Sequence, residues 1–472
     1  MLNKVKLYFH QNTDSSSLSL FRFFFGFLMF FSIIRFVGKG WVEDFYINPN
    51  FHFSYYGFEW VTPLGDYTYL LFFICAISSL FVCVGFKYRF SIIVFFLSFT
   101  YIELMDKTYY LNHYYFVSIL SFLLIFLPAN SSFSIDNILS KKKYKTVPKW
   151  TVDCIKLLVS IIYIYAAIAK MNSDWLLHAQ PLQTWIQTKH DFPIFGNTFF
   201  QQKWFYYFMS WAGLLYDLTI PFLLLYNRTR IFGFSLVILF HLLTVALFPI
   251  GMFPYIMIFC AIIFFSSQFH NRVINMLKLL VLRINKKIKF VNTNFKIMTL
   301  DKFEYSYRRL VISIVFLFFV VQILFPFRYL LYPGELFWHE QGYRFSWRVM
   351  LVEKIGLASF KIKDPDNGNE IREVVNSDFL TYYQEKQMSF QPDMILQYAH
   401  YLGDFYKNKD VDFDGIIDFG ENIQVFVDCK VKLNGFRETQ RLIDPNINLY
   451  TQKESFKNKT WILPLNDEIK GF

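Results

Sequence analysis

Nine apolar runs constrain this 472-residue chain more than any other feature; they lie at residues 18–37, 67–86, 90–105, 113–128, 152–170, 204–226, 231–248, 251–267 and 309–330. A helix needs about 20 apolar residues to cross roughly 30 Å of hydrocarbon. Most of the runs reach or approach that length, while the third, fourth and eighth are short enough to be tilted, paired or re-entrant. With 61 Phe, 31 Tyr and 10 Trp, and 54% hydrophobic against 18% charged residues, the chain has more apolar surface than a water-soluble globule could bury. Low charge, 19 Gly and 5 Cys exclude disorder, collagen-like repeats and a disulfide-stapled secreted scaffold. The expected fold is a mainly α integral membrane protein: a bundle of about nine transmembrane helices over residues 1–331, followed by a small strand-rich α+β domain over 332–472.

The net charge of +11 would suit a nucleic-acid binder if it were spread over a surface. Instead residues 332–472 hold 17 basic and 22 acidic side chains, so the excess lies between the apolar runs. Counting alternate sides, one set of loops holds 21 basic residues, among them Lys4, Lys6, Lys87, Arg89, Lys141, Lys142, Lys143, Lys145, Lys149, Arg228 and Arg230. The opposite short loops hold four: Lys39, Lys107, Lys189 and Lys203. Short cytoplasmic loops are the basic ones. The N-terminus is therefore expected in the cytoplasm and the C-terminal domain outside it, with no nucleic-acid partner and no cleavable signal peptide. The composition, rich in Phe, Lys and Asn, points to a bacterial inner membrane.

Alternation of apolar and polar residues reads as strands at 343–349 and 424–433, with helical spacing between them at 393–407. Four of the five cysteines lie in or beside apolar runs, so Cys429 has no partner for a disulfide within the outer domain. Asp410, Asp412, Asp414, Gly415, Ile416, Asp418 and Glu421 stand at the defining positions of a twelve-residue calcium loop, with Ile416 supplying a backbone carbonyl. The plainer alternative is an acidic solvated turn; as a Ca2+ site at 410–421 it would be a structural clip.

Ionisable groups in or at the ends of spans are costly unless paired or solvated, which makes each a functional candidate. Lys170 closes the fifth run, Asn112 and His113 open the fourth from the same side, and Asp217 and His241 lie deeper in the sixth and seventh. Arg22 reads as an anchor to carbonyls or lipid phosphate. A lysine at a span end ordinarily snorkels to headgroups, and a lone Asp or His in a span is as often an interhelical hydrogen-bond partner. What raises Lys170 and His113 above that background is their common depth on one side. An amine desolvated there would give up its proton more readily and could act as a general base.

Phe21-Arg22-Phe23-Phe24-Phe25-Gly26-Phe27-Leu28-Met29, Asp106-Lys107-Thr108, Asn112-His113-Tyr114 and Ala169-Lys170-Met171-Asn172-Ser173-Asp174-Trp175 resemble segments of the vitamin K-dependent gamma-glutamyl carboxylases. Leu215-Tyr216-Asp217-Leu218, Phe240-His241, Ile250-Gly251-Met252-Phe253, Gly342-Tyr343-Arg344-Phe345-Ser346-Trp347 and Asp444-Pro445 continue the match in order over nearly the whole chain. The resemblance is to a bacterial-type homologue with an HTTM-like membrane domain. It implies that Lys170 is the base that deprotonates vitamin K hydroquinone. Oxygen then adds, a strongly basic alkoxide takes the γ-proton of a peptide glutamate, the carbanion captures CO2, and the quinone leaves as its epoxide. It further implies that His113 and Asn112 position or stabilise the oxygenated species, and that His241, Asp217, Tyr114 and Met252 contact the quinol.

The expected partners are membrane lipids, an isoprenoid quinol and an exported glutamate-containing peptide, with O2 and CO2 as co-substrates. The outer tail is shorter than that of the animal enzymes and the loop at 410–421 reads as an insertion, so recognition of a client propeptide is not carried over. Two other readings stay open: a quinol epoxidase that carboxylates no protein, and a non-catalytic quinone- or lipid-binding module whose calcium-clipped domain docks a partner. A transporter is weaker, because no inverted repeat or Gly/Pro-broken helix pair is evident.

Overall fold

The structure, a computed structural model, describes residues 2–188, 200–284, 298–365, 370–407 and 422–471. Among the described residues nine apolar helices form the bundle: α1 (Ser16–Gly38), α2 (Thr68–Val84), α3 (Tyr88–Leu104), α4 (Asn112–Phe126), α5 (Lys149–Ala169), α6 (Lys203–Leu225), α7 (Arg230–Leu247), α8 (Phe253–Ala261) and α9 (Arg308–Leu324). Six of them are long and apolar enough to cross a membrane: α1, α2 with the turn before it, α5, α6, α7, and α9 with its 3-10 extension to Leu331. The other three of the nine expected spans, α3, α4 and α8, fall short of that length. The acidic Glu103 and Asp106 bracket the end of α3 at 17 residues. Pro128 disfavours helical backbone at Leu127 and so limits α4 to 15 residues. The run behind α8 breaks by 120° before Ser267.

One small sheet ties the basic loops together. β1 (Asn12–Asp14) pairs antiparallel with β2 (Lys142–Pro148), which pairs in parallel with β3 (Met298–Lys302). Four of the numbered helices lie between β1 and β2 and four more between β2 and β3. The chain therefore returns to the same face after each set.

The bundle packs through small residues and one buried cation. A Cβ built on Gly26 of α1 would sit 2.3 Å from the Cys83 amide nitrogen and 2.6 Å from the Ser79 carbonyl oxygen of α2, so these two backbones touch directly. Four residues earlier, Arg22 is fully buried and donates from Nη1 to the carbonyls of Val82 and Cys83 at 2.6 and 2.5 Å, from Nε to Ala129 at 3.1 Å, and from Nη2 to Phe133. Those carbonyls are the ones a helix end leaves without intrahelical donors. Gly85, at φ 66°, closes α2 in the left-handed region, where a side chain would collide with Arg22 and Ser134. Arg22 is thus the anchor to carbonyls expected of it.

The C-terminal domain is a four-stranded antiparallel sheet in the order β5-β4-β6-β7, from β4 (Lys354–Asp364), β5 (Glu370–Glu373), β6 (Gln424–Leu433) and β7 (Gln440–Arg441). Helix α10 (Pro392–Lys407) lays Met394, Ile395, Tyr398, Ala399 and Leu402 against it at helical spacing. The expected strand at 424–433 and helix at 393–407 are present. The strand expected at 343–349 is not. That segment is irregular, with Phe345 and Trp347 at positive φ, and its alternation reflects two rings packed 5.0 Å from Tyr115 of α4. All five cysteines are free and buried.

Replacing Gly26 by leucine is expected to lower stability by about 2 kcal/mol or more, because the opposing atoms are backbone and cannot rotate away. Gly38→Ala is the control, since nothing lies within 4 Å of a Cβ there. Thermal unfolding in detergent measures both, and an unchanged melting temperature for Gly26→Leu would refute the contact.

Candidate active site

Lys170 caps the end of α5, and two local features fix where its amine goes. Helical side chains lean toward the N-terminus of their helix, so a lysine at the last turn points back into the span. Its Nζ indeed lies 3.3 Å from the Ala166 carbonyl, one turn back. Directly after it, Asn172 begins a new helix (Ser173–His178) by accepting the Trp175 amide at 3.0 Å. That turn places the Trp175 ring 5.3 Å below the amine, where Trp175 Nε1 also donates to the Ser210 carbonyl of α6 at 2.8 Å.

The partner of the amine is Asp217. Lys170 Nζ donates to Asp217 Oδ2 at 2.7 Å, and both side chains are 8% exposed. Asp217 sits four residues before Pro221 in α6, a residue without an N–H to close the helix onto the Asp217 carbonyl. The amine is therefore not a lone desolvated base but half of a buried ion pair between α5 and α6.

These two residues line a cavity of about 620 Å³ that also receives Asn112, His113, Tyr114, His241 and Met252. The seven bundle residues given a catalytic or quinol-contacting part in the sequence reading thus line one cavity, and Arg22 does not. His113, 6% exposed, packs its ring 4.5 Å from Tyr114 and 6.0 Å from Phe253. His241 Nε2 lies 3.2 Å from the Tyr163 hydroxyl, which is 3.4 Å from that of Tyr216; His241 Nδ1 is buried and has no partner among the described residues. Met252 caps the start of α8. The amide of Asn112 is occupied at both ends, since Nδ2 donates to the Arg348 carbonyl at 3.0 Å and Oδ1 accepts from the Tyr110 hydroxyl at 3.1 Å. It fastens the irregular 342–350 segment to the start of α4.

Toward the C-terminal domain the walls become charged, with Arg35, Lys107, Glu340, Arg344, Glu353, Lys354 and Lys386. Asp393 of α10 accepts from Lys107 at 3.0 Å and from Arg344 at 2.7 Å. Those two cations hold the Asp393 carboxyl well below the usual carboxylate range against the opposing effect of burial. Lys354, buried at the start of β4, donates to Glu340 at 2.7 Å and to the Trp338 carbonyl at 2.8 Å; burial lowers its pKa and Glu340 counters that.

The domain also grips the turn behind Lys170. Buried Asp174 accepts from both terminal nitrogens of Arg437, one at 2.7 Å, and from Asn434 Nδ2 at 2.6 Å, and the Ser173 amide donates to the Lys470 carbonyl at 2.7 Å. Asp174 stands inside a segment read from the sequence, but nothing in the sequence pairs it with an arginine more than 260 positions away. Among the described residues no group of three or more His, Cys, Asp or Glu is placed to hold a metal ion. The calcium-loop residues Asp410, Asp412, Asp414, Ile416, Asp418 and Glu421 lie outside the described residues.

Two family models match this membrane bundle with its buried lysine–carboxylate pair and the sheet domain that roofs it. The HTTM domain matches residues 10–269, and the vitamin K-dependent gamma-carboxylase lumenal domain matches residues 307–468. The chain belongs to the vitamin K-dependent gamma-carboxylase family. No solved structure matches it.

Because the folded-state pKa of Asp393 is depressed, its contribution to stability is complete above the unfolded value near 4 and is lost as pH falls below it. Asp393→Asn should therefore cost roughly 3 kcal/mol at pH 7, and the gap to wild type should narrow below about pH 4. Melting curves at pH 7 and pH 3 decide this; an equal gap at both would remove the ionised Asp393 from the interface.

Proposed function

We propose that the chain is a gamma-glutamyl carboxylase that uses vitamin K hydroquinone, with Lys170 as the base. One observation carries this: the Lys170–Asp217 pair shares a cavity with His113 and His241, closed on one side by aromatic helices and opening on the other toward a charged domain face. The residues fit a quinol. Phe240, Phe253 and Tyr163 offer ring faces, Met252 and Met257 adaptable apolar contact, and His241 Nδ1 is a buried polar atom lacking a partner among the described residues. When bound and oxygenated, the quinol supplies a base strong enough to take a glutamate γ-proton.

The protein's own part is to move the first proton without leaving an isolated charge. As an ion pair, Lys170 and Asp217 sum to zero. A shift of the Nζ proton to Oδ2 leaves a neutral amine beside a neutral acid, still sums to zero, and frees Nζ to accept a proton from a bound hydroxyl. The pair then carries +1 beside the anion it has produced, so the cavity's total charge is unchanged. Asp217 takes the role of proton partner, and His113 and His241 that of hydrogen-bond donors to quinol oxygens. Asn112 is a positioning residue that holds the roof over His113. The aromatic walls exclude water. Isoprenoid quinol arrives from the bilayer, and a glutamate-containing peptide from the side of the C-terminal domain, which we place outside a bacterial inner membrane on the evidence of the basic loops. On that topology the short helices α3, α4 and α8 cross as well, which agrees with the return of the chain to β2 and β3. A calcium clip at 410–421 belongs to this proposal as a sequence motif.

The test is oxygen-dependent formation of vitamin K epoxide by detergent-purified protein, with a short glutamate peptide and labelled bicarbonate. Wild type should give epoxide and labelled peptide. Lys170→Ala should lose 10²-fold or more of the rate, the usual worth of a general base, and Asp217→Asn at least about tenfold. Epoxide without label would reduce the activity to quinol epoxidation. No epoxide from folded, quinol-loaded wild type would sink the enzyme reading.

A further inference from the structure

Among the described residues six cations line the cavity: Arg35, Lys107, Lys170, Arg344, Lys354 and Lys386. Four have carboxylate partners. Asp217 takes Lys170, Asp393 takes both Lys107 and Arg344, and Glu340 takes Lys354. Lys386 stands exposed at the rim. Arg35 is different: it is half-buried in the last turn of α1, and among the described residues its guanidinium has neither an ion-pair partner nor a hydrogen-bond acceptor. Its Nε is shielded from solvent without an acceptor. The guanidinium lies over the Trp41 ring at 5.2 Å, which restricts its plane, and its charge is felt at the His113 imidazole.

We propose that Arg35 is the receptor for the γ-carboxylate of the substrate glutamate, an assignment that rests on the carboxylase reading above. A carboxylate entering a largely apolar cavity loses its hydration and needs a counter-charge that is not already neutralised. Arg35 is the shielded lining cation that meets this condition. A guanidinium fork matches a carboxylate with two parallel hydrogen bonds, which fixes the acid group and therefore the γ-carbon next to it. The pairing also has a chemical consequence. Removing the γ-proton adds a second negative charge beside the carboxylate, and neutralising the first lowers the repulsion opposing that step. The same guanidinium faces a dianion after CO2 has been captured. An arginine in the last turn of a membrane helix ordinarily reaches outward to headgroups; Arg35 instead borders the cavity that holds Lys170.

The test is equilibrium binding of a fluorescently labelled short glutamate peptide to the full-length protein in detergent, with no quinol present. Arg35→Gln should weaken binding about tenfold or more, as expected for loss of charge-assisted hydrogen bonds. Arg35→Lys should recover part of it. A peptide with glutamine in place of glutamate should bind wild type and Arg35→Gln equally weakly. In turnover, Arg35→Gln should raise the peptide KM more than it lowers kcat. Melting temperatures compare the folding of all three proteins, and if Arg35→Gln does not fold, Arg35→Lys and the glutamine peptide carry the test alone. Equal affinity of wild type and the Arg35 variants for the glutamate peptide would overturn the assignment. If wild type nevertheless made epoxide and labelled peptide, the carboxylase reading would stand without Arg35. If wild type made neither, that reading would fall and this site with it.

Discussion

The buried pair of Lys170 and Asp217 is the constraint around which the rest of the site is arranged. Either charge alone in such surroundings would cost several kcal/mol, and together they are tolerated only while the 2.7 Å geometry holds. That geometry requires α5 and α6 to keep a fixed register. It also requires the Lys170 side chain to run back along its own helix, which the lean of helical side chains favours, and the chain to turn sharply at Asn172. Trp175, donating to the Ser210 carbonyl and lying under the amine, joins these demands in one residue. An amine held this way is pre-placed and partnered, so its chemistry depends on where a proton sits within the pair more than on burial alone.

Much of this was legible in the sequence because it depends on short-range patterns. Apolar run length marks helices, charge between runs marks loops, and a period of two marks β6. The same reasoning failed at 343–349, where Phe345 and Trp347 alternate with polar residues for a different reason: a left-handed coil inserts two rings beside Tyr115. Period alone cannot separate those cases. The helices α4 and α8 were overextended because hydropathy counts residues up to the Pro128 break and past the bend before Ser267.

Pairings across long separations were not legible. Asp217 and Lys170 were each singled out, yet their partnership spans 47 positions and two helices, and the residues were read as independent. Asp174 with Arg437, and Asp393 with Lys107 and Arg344, escaped notice altogether, since carboxylates and cations in polar loops look like solvated surface. Arg35 escaped for the opposite reason. A lone arginine at a helix end has an ordinary explanation, and what sets it apart emerges once the other cations of the cavity are matched to their carboxylates.

Those long-range pairs also give the C-terminal domain a part in building the site. Its apolar cluster is shared with the bundle: Ala169, Trp175, Leu182, Phe205, Met209 and Phe248 pack in the same core as Trp338, Phe360, Tyr398 and Val431. The residue before Lys170 and the ring beneath its amine thus belong to the core of the domain above. Arg437 and Lys470 clamp the turn between them, and Arg348 binds the amide next to His113. A bundle without its roof would expose this cluster and strand Asp174 without its arginine, so Lys170 and His113 acquire their positions only when both parts are folded. Under the proposed carboxylase function, recognition of a peptide at this domain and proton transfer within the bundle are coupled by packing, because the elements that would meet the peptide are the ones that hold Lys170 and His113 in place.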